Sequence, residues 1–398
     1  MLPYARQSVD EEDIAAVVRV LNSDFLTTGP EVPAFEAAFA EYVGAPHAVA
    51  CSSGTAGLHL ACLALGLKPG DQVIVPTISF VATANCARYC GADVIFCDVD
   101  PDSGLATAET VREAMDRADR SKLKAVFVVH LTGAAVDLAR ISSVTQEAGV
   151  ALIEDACHSL GTRYDIEPGR QGLVGDCALS DFTVFSFHPV KTITTGEGGM
   201  ITTRDPEAAE RLSRARNHGL IRTPEDWVET SMAFDPVDGE PNPWFYEQQD
   251  IGYNYRLTDI QAALGRSQLR KLPKLADRRR QLAEQYRRRS VSFGTNARLV
   301  SSAHNPDAVL HLMVALIDFE TVGLTRREVM LRLKNRGIGS QVHYIPIHCQ
   351  PYYREMSATP DLPGASRYYA RCLSLPFYPD MTVDDVDTVC SALSDVLG

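Results

Sequence analysis

The sequence predicts an α/β protein built on a mostly parallel central sheet, followed by a smaller C-terminal α+β region. Three observations carry that expectation. Short, near-continuous apolar runs recur between Cys51 and about residue 205, as in strands buried on both faces. Helix-period stretches such as GTAGLHLACLALG and SFVATANCARYCG lie between several of them. After about residue 250 the rhythm changes to longer helical segments, one of them very rich in arginine.

In chain order, Ser8 and Glu11 make a capping box, and Ile14, Val17, Val18 and Leu21 then recur at helical spacing, which predicts a first amphipathic helix. A second helix is expected near 31–43, after Pro30. QVIVP (72–76), ADVIFCD (92–98), AVFVVH (125–130), VALIED (150–155) and FTVFSF (182–187) read as strands, and GEGGMITT starts another. The segment 221–250, IRTPEDWVETSMAFDPVDGEPNPWFYEQQD, has no period and predicts a long ordered loop. Helices are expected at 258–271, 275–289 and 325–336, then a strand near 338–345 and a last helix capped by Thr382 with Asp385. The division expected is a large domain over 25–250 and a small one over 251–398, with 1–24 packing on the latter.

Composition limits the function. With 398 residues, 45% apolar and 22% charged, the chain reads as a soluble globular protein of two or three domains. A formal charge of -13 argues against a general nucleic-acid or membrane-surface role, while leaving room for a local cationic pocket that takes a phosphorylated ligand. Ten cysteines without a CxxC pair predict buried free thiols, and no metal is expected. The N-terminal MLPYARQSVDEEDI holds no apolar run suited to a signal peptide, and no window reaches membrane-spanning length, so a cytoplasmic protein is expected.

The chemistry concentrates around Lys191 in FSFHPVKTITTGEGGM. One amine sits at a strand end with no acidic neighbour nearer in sequence than Glu197. A partly desolvated lysine loses its proton readily, and the neutral amine attacks an aldehyde to give a Schiff base. SSGTAGLHLACLAL (52–65) places Gly54, Thr55 and Ala56 at a helix N-terminus, which is either a phosphate cradle or simply a cap. Strand alternation lets only one of Glu154 and Asp155 face a pocket, either to hold a protonated ring nitrogen or to cap the following turn. Phe80 is placed either to stack on a flat ring or to fill the core. Thr77, Asp155 and Lys191 fall at the carboxyl ends of strands, where ligands sit in such sheets. Together, a phosphate cradle, an aromatic, a carboxylate and a lysine at one sheet edge point to pyridoxal 5'-phosphate.

Through SSGTAGL, PTISFVATAN, EDACHSLG, FSFHPVKTITTGEGGM, GYNYRLTDIQAALGRSQL and QVHYIPIH the chain resembles, nearly end to end, the DegT/DnrJ/EryC1/StrS sugar aminotransferases. These are PLP-dependent transferases of fold type I, like aspartate aminotransferase. The resemblance implies that Lys191 forms the Schiff base and moves protons, Asp155 pairs with the pyridinium nitrogen, and Phe80 stacks on the ring. It gives the phosphate to Gly54, Thr55 and Ser186, and the ring hydroxyl to His158. Asn254 would reach the phosphate of the other subunit's cofactor, so that a homodimer shares its sites, and Arg256 would lie at the same place. His343, Tyr344 and His348 fall in the family's substrate-side segment, and Arg256 and Arg163 are expected to meet substrate carboxylates or diphosphate. ITTGEGG after the lysine resembles the members that act at C-4 of the sugar, the pseudaminic acid type. That implies L-glutamate as amino donor and a UDP-4-keto-6-deoxy-N-acetylhexosamine as acceptor. Two departures stand out: Thr192 where many relatives have His, and Cys157 at a usually small position. Lys191 disfavours the related sugar dehydratases, which carry histidine there, and no GxGxxG follows the first strand as a dinucleotide enzyme would need.

Overall fold

The computed structural model describes residues 1–229, 231–356 and 360–398. Its first nine strands are β1 (His47–Cys51), β2 (Gln72–Pro76), β3 (Asp93–Cys97), β4 (Leu123–Val129), β5 (Ala151–Asp155), β6 (Arg163–Glu167), β7 (Arg170–Leu173), β8 (Phe182–Ser186) and β9 (Gly199–Thr203). The pair β6 and β7 forms its own antiparallel hairpin, and the other seven make one sheet in the order β1-β9-β8-β5-β4-β2-β3. Pairings β2–β3, β2–β4, β4–β5 and β5–β8 are parallel, whereas β9 runs antiparallel to both β8 and β1. The parallel pairs need crossovers, supplied by helices such as Ala82–Tyr89, Ala108–Arg117 and Leu138–Ala148. Of the residues in β4, only Lys124 is exposed, because both faces of this central strand are covered.

This arrangement brings the carboxyl ends of β2, β5 and β8 to one edge. At the two ends of the segment expected as a loop, 221–250, the two-residue strands β10 (Leu220–Ile221) and β11 (Glu247–Gln248) pair with each other. Then β12 (Ala297–Leu299), β13 (Met313–Ile317) and β14 (Cys372–Leu375) make a three-stranded antiparallel sheet. One apolar cluster joins residues of the central sheet, such as Val75, Phe127 and Val184, to Met313, Leu373 and Leu393. The N-terminal segment ties into the C-terminal half, through a bridge between Leu2 and Ile338 and a bond from the Phe377 N–H to the Tyr4 carbonyl of 3.0 Å.

Several expectations need correction. The first helix, Glu11–Leu21, is capped by Asp10 with Asp13 in a capping box, not by Ser8. Its buried side is Asp13, Ala16 and Val20, while Ile14, Val18 and Leu21 are about half exposed. The inward face is set by polar partners, because the Asp13 carboxylate accepts from Gln268 Nε2 at 2.6 Å and pairs with Lys271. The helices expected at 258–271 and 275–289 are one continuous helix, Asp259–Arg289, with Pro273 inside it. A proline costs a helix interior about 3 kcal/mol, yet Leu269, Leu272 and Ala276 are all buried around it, and packing holds the helix together. No strand forms at 338–345; Ile338 and Gln341 make isolated bridges only, beside Gly337 and Gly339. Of the cysteines, Cys349 is exposed and Cys90 and Cys157 are only half-buried, although all ten are free thiols. Within the loop 221–250, Thr230 lies outside the described residues. Among the described residues no helix is long and apolar enough to cross a membrane.

Candidate active site

A cavity of about 480 Å³ opens at the carboxyl edge of the central sheet. Its floor begins where β1 ends. Ser53, extended at φ -168°, caps the helix Gly54–Ala64 by accepting the Ala56 N–H at 3.1 Å. Gly54 and Thr55 then line the cavity from the first turn. A Cβ built on Gly54 would sit 2.8 Å from Ser186 Cβ and 3.2 Å from Cys157 Sγ. Glycine therefore lets the helix N-terminus close onto the end of β8, setting Ser186 beside free N–H groups in an arrangement suited to an anion.

Strand alternation separates the two carboxylates at the end of β5. Asp155, 6% exposed, faces the cavity. It accepts from the Thr83 hydroxyl at 2.6 Å and from the Cys157 N–H at 3.2 Å, which fixes its plane. Glu154 points to the other side, accepting from Thr183 Oγ1 at 2.7 Å, from Ser180, and from His130 Nε2 at 2.7 Å. Because His130 Nδ1 accepts the Val136 N–H at 3.2 Å, the His130 hydrogen is on Nε2 and donates to Glu154.

Lys191 lies in the loop between β8 and β9, half-buried and lining the cavity. Burial pulls its pKa below the ordinary lysine value, against the opposing pull of Cys157 and Asp155. The same environment raises the Cys157 thiol well above its usual range, chiefly by burial. Phe80, 57% exposed, forms a wall with its ring 6.2 Å from that of Tyr344. His158 is buried with Nε2 3.3 Å from Tyr344 Oη, and its Nδ1 has no partner among the described residues. Burial and the nearby Lys191 and His343 push His158 well below the usual histidine range. His343, bonded through Nδ1 to Ser374 Oγ at 2.8 Å, is pushed down to about 4 by burial and Lys191. Burial raises the Tyr344 phenol, so it stays protonated and can donate.

Thus Gly54, Thr55, Phe80, Asp155, His158, Ser186, Lys191, His343 and Tyr344 share one cavity. Other expected site residues do not enter it. His348 is buried elsewhere, with Nδ1 2.6 Å from Thr77 Oγ1. Arg256 donates to Asn217 Oδ1 at 2.7 Å, and Asn254 is exposed beside it, bridged to Asn217. Arg163 is exposed, its N–H bonded to the Asp307 carbonyl at 3.1 Å. The lining residues that were not anticipated include Tyr4, His188, Glu197 and His311. His188 and Glu197 flank Lys191 in sequence and could have been found there, whereas Tyr4 and His311 come from distant segments without local signal.

The lining fits pyridoxal phosphate. A helix N-terminus that only glycine can bring against a serine, a fixed carboxylate, an exposed aromatic wall and a lysine whose pKa burial lowers meet the demands of its phosphate, ring nitrogen, ring face and aldehyde. Fold and site together define a PLP-dependent aminotransferase of the aspartate aminotransferase-like fold. The model of the DegT/DnrJ/EryC1/StrS aminotransferase family matches residues 7–394, and the chain belongs to that family. It is 37% identical over 401 residues to the spore coat polysaccharide biosynthesis protein SpsC of Bacillus subtilis (strain 168), covering 100% of this chain and 97% of SpsC. Among solved structures it resembles PseC of Helicobacter pylori, described as an aminotransferase of pseudaminic acid biosynthesis, with TM-score 0.87 and 28% identity over 100% of this chain and 99% of that one. The aminotransferase TlmJ of Streptoalloteichus hindustanus matches with TM-score 0.86 and 32% identity over 100% of this chain and 99% of its own. Further structural relatives include enzymes in PLP and PMP forms, and pyridoxal phosphate is the cofactor of this family.

Proposed function

We propose that this sugar aminotransferase moves the amino group of L-glutamate to the 4-keto group of a UDP-4-keto-6-deoxy-N-acetylhexosamine, giving a UDP-4-amino-4,6-dideoxy sugar of the β-L-altrosamine type. The observation that carries the reading is Lys191, held half-buried beside Asp155 at the cavity's edge with its pKa lowered by burial. The C-4 assignment is supported by the ITTGEGG segment and by the overall likeness to PseC. Bound pyridoxal phosphate supplies an aldehyde and an electron-withdrawing ring. The chain supplies the rest. Gly54, Thr55 and Ser186 hold the phosphate, and Asp155, its plane set by Thr83 and Cys157, keeps a ring nitrogen protonated. Phe80 covers a ring face and His158 meets the ring hydroxyl. Lys191 takes a proton at Nζ from the substrate carbon in one half-reaction and returns one in the other, which a lowered lysine pKa favours. His343 and Tyr344 line the sugar side.

Asn254 and Arg256 lie outside the cavity of their own chain, and we assign them to the site of a second copy. The half-exposed apolar residues Ile14, Val18, Leu21, Phe25 and Leu26 support such a pairing. The same proposal divides the chain into a large domain at 25–250 and a small one at 251–398. The deciding experiment is the absorption spectrum of the PLP-loaded protein. L-Glutamate is expected to remove the visible band, and the UDP-4-keto-6-deoxy sugar to restore it. A band indifferent to glutamate would reject the donor; one restored only by another nucleotide sugar would reject the acceptor.

A further inference from the structure

We propose that His311 is a positioning residue of the active site, holding the His158 imidazole in one plane against the cofactor cavity. This rests on the reading of that cavity as the pyridoxal phosphate site. The two rings have centroids 4.5 Å apart at an interplanar angle of 43°. On its other flank His158 meets Tyr344, near-parallel at 24° and 6.2 Å. A flat ring enclosed by two others has little freedom to tip.

The backbone around His311 is built for this placement. Thr132 sits in the left-handed region at φ +65°, and Gly133 follows at φ +109°. The Thr132 carbonyl accepts the N–H groups of both His311, at 2.7 Å, and Leu312, at 3.2 Å. A Cβ on Gly133 would lie 2.5 Å from the Val309 carbonyl oxygen and 2.8 Å from His311 N. Thr162 clamps the same turn, donating to the Gly133 carbonyl at 2.7 Å and accepting from Val309 N at 2.8 Å. A threonine at positive φ persists only where its surroundings over-determine it, and such strain gathers at functional sites.

The flat ring of His311 does the holding. His311 is 3% exposed, and the Nδ1 atoms of both His311 and His158 are buried with no hydrogen-bond partner among the described residues. Neither Nδ1 anchors its ring, so the contact of flat rings fixes the plane. The charged and titratable groups around the pair are Lys191, His343, Arg279 and Tyr344; burial and the cations hold both rings neutral. A neutral His158 with a fixed plane offers a defined ring edge to whatever group it meets.

The test titrates the visible absorption of wild-type, His311→Ala and His311→Phe holoenzymes against pH, with kcat and KM measured beside it. Alanine removes the packing, while phenylalanine keeps a flat ring and discards the nitrogens. Alanine should move the titration midpoint by about half a unit or more and lower kcat about 10-fold, with KM for glutamate little changed, and phenylalanine should return the midpoint to the wild-type value. An alanine variant with wild-type midpoint and kcat would overturn the proposal, as would a phenylalanine variant displaced as far as alanine. If alanine fails to fold, His311→Leu takes its place: it fills the space without a flat ring, so a displaced midpoint supports the proposal and an unchanged one overturns it. A wild-type protein without a visible band would instead reject the cofactor site itself.

Discussion

Gly54 shows how one absent side chain makes a site. Its α-carbon lies so close to β8 that a methyl group would press on Ser186 Cβ at 2.8 Å, and Cys157 Sγ at 3.2 Å leaves little room to yield. Gly54→Ala should therefore weaken PLP binding at least tenfold and cost about 1–3 kcal/mol of stability; a fluorescence titration of the apoenzyme showing unchanged affinity would refute the account of the cradle. The histidines of the cavity make a second prediction. His343 has its folded pKa lowered from 6.5 to about 4, and burial holds His158 and His311 well below the usual histidine value too. The unfolded chain thus binds more protons than the folded one below about pH 6.5. The stability these groups allow is fully present above that value and is lost as pH falls below it, for His343 down to about 4, at up to roughly 1.4 kcal/mol per pH unit for each. Urea unfolding at about pH 7 and about pH 5 should show a lower midpoint in acid, reduced in slope by His343→Asn; equal midpoints would exclude these histidines as the cause. Sequence made Lys191, Asp155 and Gly54 legible because each lies in a short motif at a strand end. It could not place Tyr4 or His311, which reach the cavity from remote segments, and it drew in His348, whose ring is occupied by Thr77.

At the scale of elements, legibility followed local physics. QVIVP is β2 residue for residue, because a β-branched run before a turn has few alternatives. HAVAC carries a single β-branched residue and gave no warning of β1. The Thr382–Asp385 capping box stands as expected, with Thr382 Oγ1 accepting Asp385 N at 3.1 Å. Thr382→Ala should lower stability by about 1 kcal/mol without changing kcat; a thermal melt shifted by several times that amount would mean the cap also supports the small sheet. The long helix through Pro273 was illegible for the opposite reason. Local rules end it there, and only tertiary burial on both sides overrides them.

At the scale of the molecule, the proposed shared dimer would account both for the half-exposed apolar side chains of the first helix and for the absence of Asn254 from its own cavity. Lys191→Ala and Asn254→Ala homodimers should each be nearly inactive. Unfolded together and refolded, half of the dimers would be hybrids with one intact site, returning about a quarter of wild-type turnover. No recovery on mixing would show that Asn254 serves its own subunit or none. The sheet order has a consequence for synthesis on the ribosome. β1 is an edge strand whose sole neighbour in the sheet is β9. The strand that launches the phosphate cradle is translated early, yet it has no berth until residues 199–203 emerge and pair with it. A nascent chain stalled before that point should therefore stay colourless, and the yellow of captured vitamin should mark a polypeptide in which the first and last strands of the central sheet have met.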